Sequence, residues 1–296
     1  MSLKSIVRTL GGDLYDRGLR ANIPAPGHSR CDRSVSLLLR EGRVIVHTFG
    51  DGDWRGVLDD LRRRGLIDAR GAPASLGVRQ GGPPTPLSIT STTDRLAAAH
   101  RIWDLGRPIG GTLSERHCRL RRLERDLPGP DVVRHGGQTP VSAYGDDLLR
   151  RPAMLVALST AEGEFTAVEV TYLTPGGLRA ADLKLSRKTV GLVPPGAAAR
   201  LDPAGPEMLV GEGFFTTRSA GEHFALPGWA LTSTRNLRAW SPPPEVRSVL
   251  IAADRGQDGE ASAEVLRHRL LRLGVRARVA LPPEPHGDWN EAADPA

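Results

Sequence analysis

The last third of the chain predicts a parallel β-sheet covered by helices on both faces, preceded by an α+β middle region and a small β-hairpin and helix module. Three observations predict this α/β architecture. After residue 206, short continuous apolar runs alternate with helical stretches, the pattern of strands buried on both faces. Upstream, amphipathic helices mix with alternating strands. Pro/Gly/Ser-rich stretches at 71–92, 129–147 and 193–206 punctuate the 296 residues, a length that suits about two domains. All three stretches read as candidate linkers, and the first and last divide the chain into three segments, 1–70, 93–200 and 206–296.

In the first segment, residues 34–39 and 43–49 form two short strands around a Glu41-Gly42 turn. A helix follows, with Asp53 as N-cap and Trp54, Val57, Leu58 and Leu61 on one face. Arg62, Arg63 and Arg64 fall in its last turns, where cations suit the helix dipole. They read as a solvated helix end before they read as a nucleic-acid contact.

The middle segment opens with a helix at 94–104 and a second at 113–125, in which Arg119, Arg121, Arg122 and Arg125 crowd together. Strands follow at 153–158 and 166–173, closed by a Pro175-Gly176-Gly177 turn.

The last segment begins with the apolar run 208–210, which ends in Gly211-Glu212-Gly213, and a helical stretch continues to about residue 223. Residues 229–231 form a second run, and residues 248–253 a third that ends at Asp254. A helix at 260–273 and a fourth strand at 275–281 complete the pattern.

The formal net charge of +6 comes almost wholly from arginine, since Lys4, Lys184 and Lys188 are the only lysines. Two readings stay open: a GC-rich genome that writes arginine for any cation, and a polyanion partner. Arginine suits the second, with a planar fork for phosphate and a face for stacking on bases. Cys31 and Cys118 lie far apart and outside paired spacing, which excludes a disulfide framework and a cysteine zinc cluster. Residues 1–20 lack a signal-peptide pattern, and no stretch approaches the roughly 20 apolar residues that span a bilayer. The expectation is a cytoplasmic protein that does not enter membranes.

In an open parallel sheet the ligand site lies at the carboxyl ends of the strands. Glu212 and Asp254 both sit at such ends, so if their strands are neighbours both carboxylates emerge on one rim. Hard oxygen ligands there suit a magnesium ion and, through it, phosphate. Gly211 and Gly213 allow a sharp turn of the backbone. Asp288, after the fourth strand, brings a third carboxylate, and Asp258 is a further candidate ligand. A lone acid at a strand end is ordinarily a cap or a turn former, so the argument rests on several in register.

These residues carry a resemblance. The segments Val210-Gly211-Glu212-Gly213, Ala252-Ala253-Asp254 and Asp288-Trp289-Asn290 resemble the Toprim domain of the primase-like proteins carried by plasmids and phages. Upstream, Arg107 to Leu113 and Ala167 to Pro175 resemble that family's middle region. Ala25 to His28 with Gly52-Asp53-Trp54 resembles its N-terminal zinc ribbon. The family's ribbon holds zinc through Cys-x-x-His on one arm and two cysteines on the other. The matching positions here are Ala25 and His28, then Thr48 and Asp51, so the resemblance implies a degenerate ribbon without zinc. Where the family has Asp-x-Asp, the chain has Asp254-Arg255-Gly256, with Asp258 two residues late. Phe215 replaces a second glutamate, and Gly287 replaces a lysine.

The resemblance implies a magnesium-dependent DNA primase acting on single-stranded DNA with nucleotides, in replication or transfer of a mobile element. Glu212, Asp254 and Asp288 would be catalytic, Glu212, Asp254 and Asp258 would hold the ion, and Arg119, Arg121, Arg122 and Arg125 would bind the template. No P-loop pattern is present, so a helicase partner would be a separate chain. Loss of one carboxylate, with Arg255 beside Asp254 to compete for it, predicts reduced activity. The alternative is a non-catalytic module, derived from a primase, that binds nucleic acid or a partner. Strand cleavage is a third reading, without a tyrosine in supporting context.

Overall fold

The computed structural model describes residues 3–27, 34–48, 53–73, 91–144, 148–183 and 185–293. They divide into two units, Met1–Ser91 and Thr92–Ala296.

In the first unit, α1 (Lys4–Leu10) precedes an antiparallel sheet of β1 (Asp13–Tyr15), β2 (Arg20–Ile23), β3 (Val35–Arg40) and β4 (Arg43–Thr48), joined in that order. Arg40 pairs with Arg43. Between them Glu41 and Gly42 both take positive φ, 52° and 76°, as a two-residue hairpin turn of the favoured hand requires. Asp53 caps α2 (Trp54–Arg63) by accepting from the Arg55 N–H at 3.0 Å. Ile6, Ile23, Val35, Leu37, Val57 and Leu61 meet in the core. The arginine run is spent on its own helix, with Arg62 paired to Asp59 at 2.9 Å and Arg63 and Arg64 both on Asp60. Of the four positions aligned with a zinc ribbon, Ala25 follows β2 and Thr48 ends β4, while His28 and Asp51 lie outside the described residues, as do Cys31 and Phe49.

The second unit holds two sheets. The first is antiparallel and runs in chain order: β5 (Arg107–Pro108), β6 (Val133–Pro140), β7 (Arg150–Ser159), β8 (Phe165–Tyr172) and β9 (Arg187–Gly191). On one face α3 (Thr92–Asp104) packs Ala98, Ala99 and Ile102 on Leu155, Val168 and Val170. On the other, Met154 and Val156 meet Cys118 of α4 (Leu113–Leu120). The stretch 129–147 is therefore not a linker. Strand β6 runs through it, and a bulge between Gly136 and Thr139 explains the strand-poor composition, since a Cβ on Gly136 would sit 2.2 Å from Thr139 Oγ1. Helix α4 also stops at Leu120, short of the expected residue 125, and Arg122 takes a positive φ of 60° beyond it.

The second sheet comprises β10 (Ala199–Arg200), β11 (Glu207–Gly211), β12 (Gly228–Ala230), β13 (Ser248–Ala252) and β14 (Arg276–Ala280), ordered β10-β12-β11-β13-β14. The last four are mutually parallel, as their apolar runs predict, and β10 is an antiparallel edge. The stretch 193–206 is thus no free linker either, because Ala197, Ala198, Ala199 and Leu201 are buried and β10 lies within it. Strand residues alternate between two helical layers. Met208, Val210, Val249 and Ile251 pack beneath α6 (Thr234–Ala239) and α7 (Gln257–Arg272), whereas Leu209, Leu250 and Ala252 pack beneath α5 (Phe214–Phe224). Six-residue α6 has too few turns for a periodic signal and is started by its Ser233 cap, whose Oγ accepts from Asn236 N–H at 3.2 Å.

Candidate functional site

Strands β11 and β13 are parallel neighbours with Gly211 opposite Ala252, so Glu212 and Asp254 leave the sheet on one rim. Burial raises the pKa of both. Asp254 reaches about 6, raised by burial first and then by the Asp288 charge, while the Thr216 hydroxyl acts the other way. Glu212 is raised by burial and then by the charges of Asp254 and Asp258. Asp254 Oδ1 is buried without a hydrogen-bond partner among the described residues, an acceptor left open at the centre of the rim.

The other candidate carboxylates have local duties. Asp288 Oδ1 accepts from the backbone N–H groups of Asn290 at 2.7 Å and Glu291 at 2.8 Å, which fixes the turn that brings its charge near Asp254. Asp258, 68% exposed, lies in the first turn of α7 and is held by Arg238. Among the described residues no group of three or more His, Cys, Asp or Glu side chains is arranged to hold a metal ion.

Two expectations change. Arg255 does not compete for the rim: its Nε donates to the Pro282 carbonyl at 3.0 Å and its Nη1 lies 3.6 Å from Glu284. Gly211 is needed for contact rather than for a turn, since a Cβ there would meet Thr217 Oγ1 at 2.6 Å. Gly256, where the resemblance puts a second aspartate, has a φ of 117°, which a side chain rarely adopts, so aspartate there would strain the entry to α7.

The guanidinium that acts on the carboxylates is Arg187, at the start of β9. Cross-strand register aligns Met154, Thr171 and Arg187, and beside them Val156, Glu169 and Thr189. These six share the face on which Met154 and Val156 pack with Phe214 at the start of α5. Arg187 lowers the pKa of Glu212, Asp254 and the buried Glu169, although burial still leaves all three pKa values raised. Neither Arg187 nor Glu169 is apparent as a site residue from sequence. The available signal is a charge inside the apolar run 165–172.

Of the arginines at the end of α4, Arg119 Nη1 donates to the carbonyls of Leu123, Glu124 and Arg125 at 2.6, 3.1 and 3.1 Å. Arg125 Nη1 donates to the Gly221 carbonyl at 3.1 Å. Arg121 stacks over the Phe215 ring at 5.0 Å, and the edge of that ring meets His117 at 5.3 Å. Burial holds the His117 imidazole below its ordinary pKa, and Arg121 and Arg179 act in the same direction. Arg121 and Arg179 thus gather at His117, whereas Arg187 is the arginine that acts on the acidic rim.

Residues 93–201 match a domain of unknown function, DUF7146, and residues 207–294 match the Toprim domain. No curated protein sequence matches the chain. Among solved structures it is similar to the primase fragment of the bacteriophage T7 primase-helicase protein, at 14% identity and a TM-score of 0.40 over 91% of this chain and 92% of that one. It is similar also to the zinc-binding and RNA polymerase domains of Aquifex aeolicus primase, at 13% identity and a TM-score of 0.41 over 98% and 78%. A DnaG primase catalytic domain bound to single-stranded DNA gives 11% identity and a TM-score of 0.44 over 68% and 74%. Together the four parallel strands, the two layers of helices and the family match establish that this chain carries a Toprim domain at residues 207–294.

Proposed function

We propose that the chain is a primase-like protein that acts on single-stranded DNA, with the Glu212 and Asp254 rim as a reduced nucleotidyl-transfer centre. The observation that carries this reading is the juxtaposition of two partly buried acids of raised pKa with Arg187 on the facing sheet. Toprim domains generally bind magnesium. The open Asp254 Oδ1 and the all-oxygen donor set fit that ion, which ordinarily takes one or two carboxylates and completes its shell with water and phosphate. Glu212 and Asp254 would hold it, with Asp258 and Asp288 contributing charge. When bound, it would neutralise phosphate charge.

The chain's own groups set out the rest. Arg187, with Arg121 and Arg122, would bind phosphates of template and incoming nucleotide, and the stacked Arg121 and Phe215 offer a platform for a base. Glu212, raised by burial, suits the removal of a proton from the hydroxyl that attacks the nucleotide's α-phosphorus as pyrophosphate leaves. Substrates would be single-stranded DNA and ribonucleotides, in the cytoplasm, with a replicative helicase as partner and in the replication or transfer of a mobile element. The N-terminal module would carry no zinc.

The reading is tested with labelled ribonucleotides on a single-stranded template. Weak synthesis that vanishes in Glu212→Ala supports it. Synthesis no higher than that of Glu212→Ala, with template binding intact, leaves the non-catalytic binding module. That second reading is favoured by the absence of a three-ligand metal group among the described residues.

A further inference from the structure

The second sheet ends on β14, which pairs with β13 and has no strand on its other side among the described residues. The Arg276 N–H donates to the Arg247 carbonyl at 3.0 Å, and the Ala253 N–H donates to the Ala280 carbonyl at 3.0 Å. In a parallel ladder alternate residues direct both backbone groups to the same neighbour, so Arg276, Arg278 and Ala280 serve β13. The N–H and C=O groups of Ala277 and Val279 therefore point outward, and nothing among the described residues pairs with them. Side chains alternate as well. Ala277 and Val279 pack on the core beneath α7, so Arg276 and Arg278 stand on the opposite face of the strand, both exposed. Residues 271–280 hold three arginines, Arg272, Arg276 and Arg278, and no acid. Arg276 has an exposed partner in Glu207 at 3.4 Å, whereas Arg272 and Arg278 make no ion pair or side-chain hydrogen bond among the described residues.

We propose that the outer edge of β14 docks an extended acidic segment of a partner protein, which joins the sheet as an added strand. Its backbone pairs with Ala277 and Val279, and carboxylates at every second position meet Arg276 and Arg278. Leu271 and Leu273, both exposed where α7 turns into β14, offer apolar contact at one end of the segment. Charge selects this occupant. An open edge is ordinarily protected by charged side chains, and here the charge has a single sign. Two copies of β14 laid side by side would set arginine against arginine, so the edge that admits an acidic strand rejects a second copy of this chain. A nucleic-acid strand would satisfy the arginines, but its phosphates carry only acceptors and leave the outward carbonyls of Ala277 and Val279 unpaired. Neither Glu212 nor Asp254 takes part, so the site does not depend on a working rim.

The test is fluorescence anisotropy of the full chain with a short, end-blocked, fluorescein-labelled peptide of alternating aspartate and valine. This peptide is expected to bind, and one of alternating lysine and valine is not. Arg276→Glu combined with Arg278→Glu, both at exposed positions, should weaken binding about tenfold. Backbone pairing is tested on the peptide, which leaves the fold of the protein untouched. N-methylation of the valines blocks the amides that face β14 in an antiparallel strand, and N-methylation of the aspartates blocks those of a parallel one. One of the two is expected to abolish binding and so to give the strand direction. Val279→Pro, which removes an outward N–H and none of the β13 ladder, should weaken the peptide too. Equal binding of acidic and basic peptides, no binding at millimolar concentration, indifference to the double charge reversal, or binding kept by both methylated peptides overturns the proposal. Oligothymidylate binding that falls in the double variant, with no binding of the acidic peptide, would assign the arginines to nucleic acid and likewise overturn it.

Discussion

The charge of Asp254 opposes ionisation of Glu212 across the seam of two parallel strands, from a position one residue past Glu212's own level in the register. The arrangement stores destabilisation that a bound cation would relieve. Asp254 titrates at about 6 rather than 3.8, so between those values the folded chain holds the extra proton. Its contribution to stability is therefore present below 3.8, is lost as pH rises through about 6, and stays lost above it. Asp254→Asn is expected to raise Tm by about 3 °C at neutral pH. Thermal unfolding at two pH values checks this, because the gain should shrink in the acid range. Any primer synthesis should decline below a pH of about 6, as the acids of the rim protonate.

Arg218 of α5 ties the segment after β10 to the loop that precedes β6. It is 4% exposed, its Nη1 donates to Asp202 at 3.1 Å, and its Nη2 donates to the Asp126 carbonyl at 2.7 Å. Asp202 also accepts from Gly228 N–H at 2.9 Å. Asp202→Ala leaves a buried guanidinium without its counter-charge and is expected to cost about 3 kcal/mol in urea unfolding. A loss below about 1 kcal/mol would show that water replaces the carboxylate.

Two neighbouring glycines should respond differently. A Cβ on Gly211 meets Thr217 Oγ1 at 2.6 Å, whereas one on Gly213 meets nothing closer than Thr216 Oγ1 at 3.9 Å. Gly211→Ala should push α5 away from β11 and lower both stability and activity, with a stability loss of about 2 kcal/mol. Gly213→Ala should cost about 1 kcal/mol or less, as for a weakened helix cap. Side-by-side unfolding and template-binding measurements distinguish them.

The arginine cluster should divide by duty. Arg119→Ala removes three carbonyl contacts and should lower Tm without changing how affinity for single-stranded DNA falls with salt. Arg121→Ala should lower that affinity, and the slope of log affinity against log salt by about 0.7. Equal slopes for Arg121→Ala and wild type would remove Arg121 from the phosphate path.

A chelator tests the N-terminal module. With Ile6, Ile23, Leu37, Val57 and Leu61 supplying its core, incubation with EDTA should leave its unfolding transition unmoved. A transition lowered by EDTA and restored by zinc would reveal a metal site.

The sequence shows those parts of the molecule that write themselves locally. Continuous apolar runs at 208–210 and 248–253 mark strands covered on both faces, and the acids that end them mark the rim. Strand β6 was hidden because its Gly136-Gly137 bulge carries the composition of a turn. Arg187 was hidden for a different reason, since only the pairing of β8 with β9 turns it toward acids from another part of the chain. Local sequence states that Arg255 is beside Asp254, but tertiary contacts send it to Pro282 instead.

Strand β10 has a consequence for how the chain can be cut. It closes the open side of β12, and the residue before it, Ala198, bridges to Ser159 at the end of β7, so one short segment is bonded to both sheets. Cleavage between residues 201 and 207, where the two family matches meet, would strip β12 of its antiparallel neighbour and present bare N–H and C=O groups to other molecules. A Toprim fragment begun at residue 207 is thus prone to self-association, and the shortest soluble piece retaining the rim begins before β10.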